Sequence, residues 1–78
     1  MHKIVIANVL YTATDETFYV LNSQPEHAEK YVGDTLQETI ANLEADNWHS
    51  CGKVIRPDGV PVDMMSDGKL HYIALWTE

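Results

Sequence analysis

The chain has 78 residues, of which 45% are hydrophobic, and its 12 acidic and five basic side chains give a net charge of −7 at pH 7. This length predicts a single domain over residues 1–78 with a small core. The apolar fraction argues against a disordered chain. The five Lys and Arg residues are too scattered to form the basic patch with which proteins bind nucleic acid directly.

Cysteine usage and the start of the chain indicate the compartment. Cys51 is the only cysteine, so no disulfide can form within the chain. Residues 1–22 lack the basic start, apolar core and small-residue cleavage site of a signal peptide. No stretch approaches the roughly 20 apolar residues of a membrane span. These features predict a soluble protein of the cytoplasm with no membrane partner.

The first two elements are predicted to be strands. Residues 3–11 and 17–22 are rich in β-branched and aromatic side chains, and the polar residues 12–16 separate them. This pattern predicts a β-hairpin.

Two helices are predicted to follow. Ser23 and Glu26 have the spacing of a capping box, and Gly33 could end the helix in the left-handed conformation, which predicts a short helix over residues 24–32. Asp34 can cap a second, longer helix, which Asn47 would end before Trp48 turns the chain back to the core. The apolar residues of this longer helix share one arc: Leu36, Ile40 and Leu43.

The last part of the chain predicts three strands joined by tight turns, over residues 50–56, 60–65 and 69–76. Pro57 and Gly59 supply the backbone angles of the first turn, and Asp67-Gly68 is typical of a two-residue hairpin turn. Pro61 favours an edge position or a bulge for the middle strand. The predicted fold class is α+β, a single mainly antiparallel sheet in the order ββααβββ with one long helix packed on one face.

The first and last strands have apolar side chains on both faces. In residues 4–9 and 70–76 successive side chains point to opposite faces, and both sets are apolar. One helix can cover only one of these faces. The second face is therefore either shielded by other parts of the chain or exposed as a contact surface for a partner or a second copy in a homo-oligomer.

Few residues of the chain could supply reactive groups. His49 and Cys51 would share one face of a strand, and His71 could lie on a neighbouring strand, so the three could hold zinc or form a thiol nucleophile and base oriented by Asp58 or Asp63. A single cysteine, dispersed histidines and the absence of a glycine-rich loop favour packing and turn roles instead. The sequence predicts no catalytic residues, no metal ligands and no cofactor, and therefore a protein that is not an enzyme.

Residues 43–48, Leu-Glu-Ala-Asp-Asn-Trp, are followed by a strand, two turns and residues 70–75, Leu-His-Tyr-Ile-Ala-Leu. Over residues 36–76 this arrangement resembles small bacterial and phage domains of unknown function in which a helix ends in Gly-Trp before a β-hairpin, although Asn47 stands in place of that glycine. The small size, the acidity and the lack of catalytic motifs also resemble the phage-encoded inhibitors of bacterial defence, anti-CRISPR proteins in particular.

That second resemblance implies a non-enzymatic inhibitor that mimics DNA and docks on a basic, nucleic-acid-binding host protein. Three alternatives remain open: a homo-oligomeric protein that binds a small molecule such as a nucleotide signal, a small enzyme that would use Cys51 or a pair of histidines, and a structural or accessory phage protein. The carboxylates that would contact the partner are Asp15, Glu16, Glu38, Glu44, Asp46, Asp58, Asp63 and Asp67. The aromatic anchors would be Tyr19, Tyr72 and Trp76.

Overall fold

The computed structural model describes residues 3–78 of the chain. Within this range it contains five β-strands, one α-helix and one short 3-10 helix. In chain order they are β1 (Ile4–Thr12), β2 (Thr17–Val20), the 3-10 helix (Ala28–Tyr31), α1 (Leu36–Glu44), β3 (His49–Ile55), β4 (Pro61–Ser66) and β5 (Tyr72–Thr77). The α+β class and the antiparallel sheet are confirmed.

The strands form one antiparallel sheet in the order β2-β1-β5-β4-β3. The first hairpin and the C-terminal meander are joined by the pairing of β1 with β5, in which Val5 lies opposite Trp76 and Val9 opposite Tyr72. The edge strands β2 and β3 also contact each other. The sheet is therefore curled, so that it has an outer face, which α1 covers, and an inner face, which closes on itself.

Each face of the sheet has its own buried cluster. The outer cluster joins the sheet to α1 and contains Ile6, Ala28, Leu43, Met65, Ile73 and Leu75. The inner cluster contains Val9, Val54, Val62, Met64 and Ala74. Apolar side chains were predicted on both faces of the first and last strands, and β4 also places apolar side chains on both faces. The chain itself buries the apolar side chains of both faces. A dimer is therefore not needed to cover the second face.

The ends of α1 are set by local hydrogen bonds. Thr35, not Asp34, is the N-cap, and its hydroxyl accepts a hydrogen bond from the Glu38 amide at 3.1 Å. At the other end Asn47 has a φ of 69°, as predicted. The amides of Asn47 and Trp48 donate to the carbonyls of Glu44 and Leu43, a Schellman motif that directs Trp48 onto the outer cluster. With nine residues, α1 is shorter than the long helix predicted.

The predicted helix over residues 24–32 is wrong. Only residues 28–31 are helical, in a 3-10 turn that has no side-chain cap, because His27 has a left-handed φ of 63°, which a continuous right-handed helix cannot contain. The Ser23 hydroxyl accepts from the Asn8 side chain at 3.0 Å instead of capping. Gly33 is not left-handed; it is needed because a Cβ there would lie 2.8 Å from the Cβ of Glu38.

The turns of the C-terminal meander agree only in part with the prediction. Gly59 has a φ of 90° in a tight turn, as expected. Pro61 lies on β4, which has a neighbouring strand on each side, and not on an edge strand. It is tolerated because it is the first residue of β4, where only β3 pairs with it. The irregularity falls on β3, where Gly52 has a φ of 101° between the paired residues Ser50 and Lys53.

Candidate functional site at the open end of the sheet

One end of the sheet, here called the open end, combines several exposed features. The turn over residues 13–16, the loop over residues 67–71 and the start of β3 all lie there, since His49 pairs with Ser66, Ser66 with Tyr72, and Tyr72 with Val9. Beyond Val9, β1 continues to Thr12 and pairs with β2 alone among the described strands. The sheet is therefore incomplete at this end.

A groove of about 610 Å³ lies at the open end. It falls within the roughly 300–1,000 Å³ of clefts that hold ligands. Its wall is largely apolar and is formed by β1, β5, the 67–71 loop, the chain before the 3-10 helix and the residue that precedes β3. The lining residues include Leu10, Pro25, Glu26, Trp48, Leu70 and Ile73.

The 67–71 loop is held by one carboxylate. Asp67 Oδ1 accepts hydrogen bonds from the amides of Lys69 and His71 at 2.8 and 3.2 Å. Asp67 Oδ2 lies 2.8 Å from Nδ1 of His71. Partial desolvation raises the pKa of Asp67, but the bonds from Lys69 and His71 outweigh it, so this pKa lies below its ordinary value. The ionised carboxylate therefore fixes the loop.

Leu70 is the most exposed large apolar residue of the described chain. Its accessible fraction is 85%, and its φ is 68°. A left-handed backbone costs a residue with a Cβ about 1–2 kcal/mol. The sequence placed Leu70 in the last strand, because Leu70, Tyr72 and Ala74 continue an alternating pattern. The bonds to Asp67 instead create a longer loop, and β5 begins only at Tyr72.

Aromatic rings close the inner side of the open end. The Phe18 ring lies 4.7 Å from the Tyr11 ring and 5.0 Å from the Tyr72 ring, between centroids. Phe18 and Tyr72 pack against the inner cluster, whereas Tyr11 is 40% exposed. Sequence reasoning had not selected Tyr11 or Leu10, which is 52% exposed. The sequence feature that could have identified these two residues is the apolar run at the end of β1, which extends past the last residue that pairs with β5.

The predicted aromatic anchors do not share one surface. Tyr72 and Trp76 pack against the inner cluster. Tyr19 pairs with Leu10 and therefore lies on the outer face. Its hydroxyl donates to Asp15 at 2.9 Å, and this bond is the main cause that raises the pKa of Tyr19. Of the three, Tyr19 is the exposed one at 45%.

The predicted carboxylates are divided among several parts of the molecule. Asp15, Glu16 and Asp67 lie at the open end, and Glu44 and Asp46 follow at the end of α1 that leads to Trp48. The Asp46 side chain accepts from the Tyr31 hydroxyl.

Three other predicted carboxylates have local partners elsewhere. Glu38 accepts from the Asp34 amide at 3.0 Å and completes the cap of α1. Asp63 is 3.0 Å from Lys53. Asp58 lies at the opposite end of the sheet, where a hydrogen bond from Arg56 is the main cause that lowers its pKa.

The candidate reactive residues show neither a metal site nor an activated thiol in the described part of the chain. Among residues 3–78, no three side chains of His, Cys, Asp or Glu lie close enough to hold a metal ion. Cys51 Sγ donates weakly to the Met64 carbonyl at 3.5 Å. Desolvation raises the pKa of the Cys51 thiol, which keeps it protonated at neutral pH and disfavours a thiolate nucleophile.

Comparison of the chain with family models, curated proteins and solved structures gave no match. Within residues 3–78, no helix is both long and apolar enough to span a membrane.

Proposed function

We propose that this protein is a non-enzymatic binding domain that docks through its open end on a basic, nucleic-acid-binding surface of a partner protein. Inhibitors encoded by phages or other mobile elements against host defence complexes are the class in which we place it. Its acidic groups would occupy the positions that phosphates take on the partner.

One observation carries this proposal: exposed apolar side chains and carboxylates lie together at the open end, beside a groove of about 610 Å³. Leu10, Tyr11 and Leu70 are 52%, 40% and 85% exposed there, next to the turn that bears Asp15 and Glu16. Interface centres are rich in large apolar and aromatic residues, and charged rims steer association. A cluster of this kind on a small acidic chain supports protein binding.

The chemistry of the remaining side chains also supports binding rather than catalysis. The Cys51 thiol is stabilised in its neutral form. The carboxylates at the open end either hold turns, as Asp67 does, or lie in exposed loops, as Glu16 does. Acid-base catalysis needs two groups whose surroundings separate their pKa values. Asp67 has His71 as its titratable neighbour at 2.8 Å, and the contacts of this pair hold the 67–71 loop.

The experiment is a capture from bacterial lysate at low salt, followed by a competition assay. Each retained protein is purified, and its binding to nucleic acid is measured with increasing amounts of this protein. We expect a retained protein whose nucleic-acid binding is displaced and whose affinity for this protein falls as salt rises, because the Debye length shortens from about 30 Å at 0.01 M to about 8 Å at 0.15 M.

Two matched charge reversals locate the surface. Glu16→Lys changes the charge at the open end, and Glu78→Lys changes it equally beyond the far end of β5. We expect Glu16→Lys to slow association and Glu78→Lys to leave it nearly unchanged. The proposal is wrong if the retained protein keeps its nucleic acid, or if no protein is retained while a small molecule co-purifies with the chain.

A further inference from the structure

We propose that Leu70 is a preset anchor residue and that the groove beside it takes a basic amphipathic segment of the partner. The apolar side of that segment would pack on Leu70 and the groove wall, and its Lys and Arg side chains would meet the carboxylates of the open end. This inference rests on the proposed function, since it names the part of the partner that the open end binds.

Leu70 combines a strained backbone with an exposed side chain. A leucine in the left-handed region is strained, and an exposed side chain gives no packing energy in return. Leu70 nevertheless combines a φ of 68° with 85% exposure. Among the described residues, Leu70 belongs to neither buried cluster. Its position is explained if its contacts form only in a complex.

Hydrogen bonds within the 67–71 loop fix the backbone on both sides of Leu70. The Ser66 hydroxyl accepts from the Gly68 amide at 3.0 Å, and Asp67 accepts from the amides of Lys69 and His71. These bonds lie on both sides of Leu70 and hold its backbone in one conformation. A loop whose backbone is ordered before binding loses less conformational entropy when it binds, which favours affinity.

The groove and its charges identify the occupant. The apolar wall of the groove includes Leu10, Pro25 and Trp48, and Glu26 lies at its edge. Asp15 and Glu16 lie in the turn that follows β1, and Lys69 is a cation in the 67–71 loop. An apolar groove with a mainly acidic rim complements a segment with one apolar side and several cations. A second copy of this chain, which also carries a charge of −7, would be repelled.

The test uses a defined probe with the full chain. The probe is a short fluorescein-labelled peptide of Leu and Lys with its Leu residues at helical spacing; a peptide with Glu in place of Lys is the control. Binding is followed by fluorescence anisotropy at about 0.01 M and about 0.15 M salt. We expect the Lys peptide to bind at low salt, to bind more weakly at higher salt, and the Glu peptide not to bind.

Leu70→Gly and Leu70→Asn separate anchoring from folding, since both residues tolerate the left-handed backbone. We expect each to weaken binding of the Lys peptide about ten-fold or more while the urea midpoint stays the same or rises. Ile55→Thr removes an exposed apolar side chain at the far end of β3, where Ile55 is 56% exposed. This control should bind as the unchanged protein does.

Three results would overturn the inference. Equal binding by Leu70→Gly and the unchanged protein would remove Leu70 as the anchor. A large fall in the urea midpoint of both Leu70 variants would show that Leu70 supports its own fold. Failure of the Lys peptide to bind at low salt would exclude the proposed occupant. The capture and competition assay is independent of the peptide, so the proposed function can survive each of these results.

Discussion

Leu43→Ala tests the packing on which the fold depends. Leu43 is 1% exposed in the outer cluster, and Trp48, which follows the Schellman motif, packs against the same cluster. Removal of a buried leucine side chain costs about 2–5 kcal/mol. A domain of this size has a free energy of unfolding of about 4–12 kcal/mol, so the substitution should remove a large share of the stability.

Urea unfolding followed by circular dichroism measures this loss. With a slope of about 1 kcal/mol per molar urea for a small protein, the midpoint should fall by about 2 M or more. Gln37→Ala, at an exposed position of the same helix, should change the free energy of unfolding by no more than about 0.5 kcal/mol. A shift for Leu43→Ala as small as that of the control would show that α1 does not pack on the sheet through this face.

Three further predictions follow from the same structure. Gly33→Ala should lower the urea midpoint, because the new Cβ would lie 2.8 Å from the Cβ of Glu38; an unchanged midpoint would show that the chain yields there without cost. The pKa of Asp67 is lowered in the folded state, so its carboxylate should stabilise the loop fully above the ordinary Asp pKa of about 4 and lose this effect as the pH falls through the lowered value. Amide NMR shifts of Lys69 and His71 report this titration, and a midpoint at or above the ordinary pKa would contradict it. Light scattering at micromolar concentration should give the mass of one chain, because the chain itself buries its inner face; a stable dimer would show that another surface self-associates.

Local sequence signals predicted those parts of the fold that depend on neighbouring residues. Asn47 tolerates the left-handed backbone, and it ends α1 where the sequence indicated. Gly59 likewise sets the turn before β4. Alternating apolar residues in β1 and β5 correctly assigned Ile6 and Val9 to opposite faces. Each of these features is decided within a few residues of the chain.

Features that depend on distant contacts were not predictable in this way. The inner face is buried because β2 contacts β3, and the two strands are separated in sequence by both helices. The open end was missed for a different reason. The alternating pattern of β5 extends through Leu70, but three hydrogen bonds from Lys69 and His71 to the Asp67 carboxylate form a loop there instead. A strand pattern and a side-chain-stabilised loop competed, and the loop is the one that formed.

The most direct test of the open end as a docking surface uses its two tryptophans as reporters. Trp48 lines the groove, whereas Trp76 contacts Arg56 at the opposite end of the sheet. Trp76→Phe leaves Trp48 as the only indole, and Trp48→Phe leaves Trp76. The indole nitrogen of Trp76 has no hydrogen-bond partner within the described residues, so replacing it with phenylalanine breaks no such bond. When the Lys peptide is added at low salt, the emission of Trp48 should change in proportion to binding, and that of Trp76 should stay constant. A response of Trp76 alone, or of neither indole while anisotropy reports binding, would place the docking surface elsewhere on the molecule.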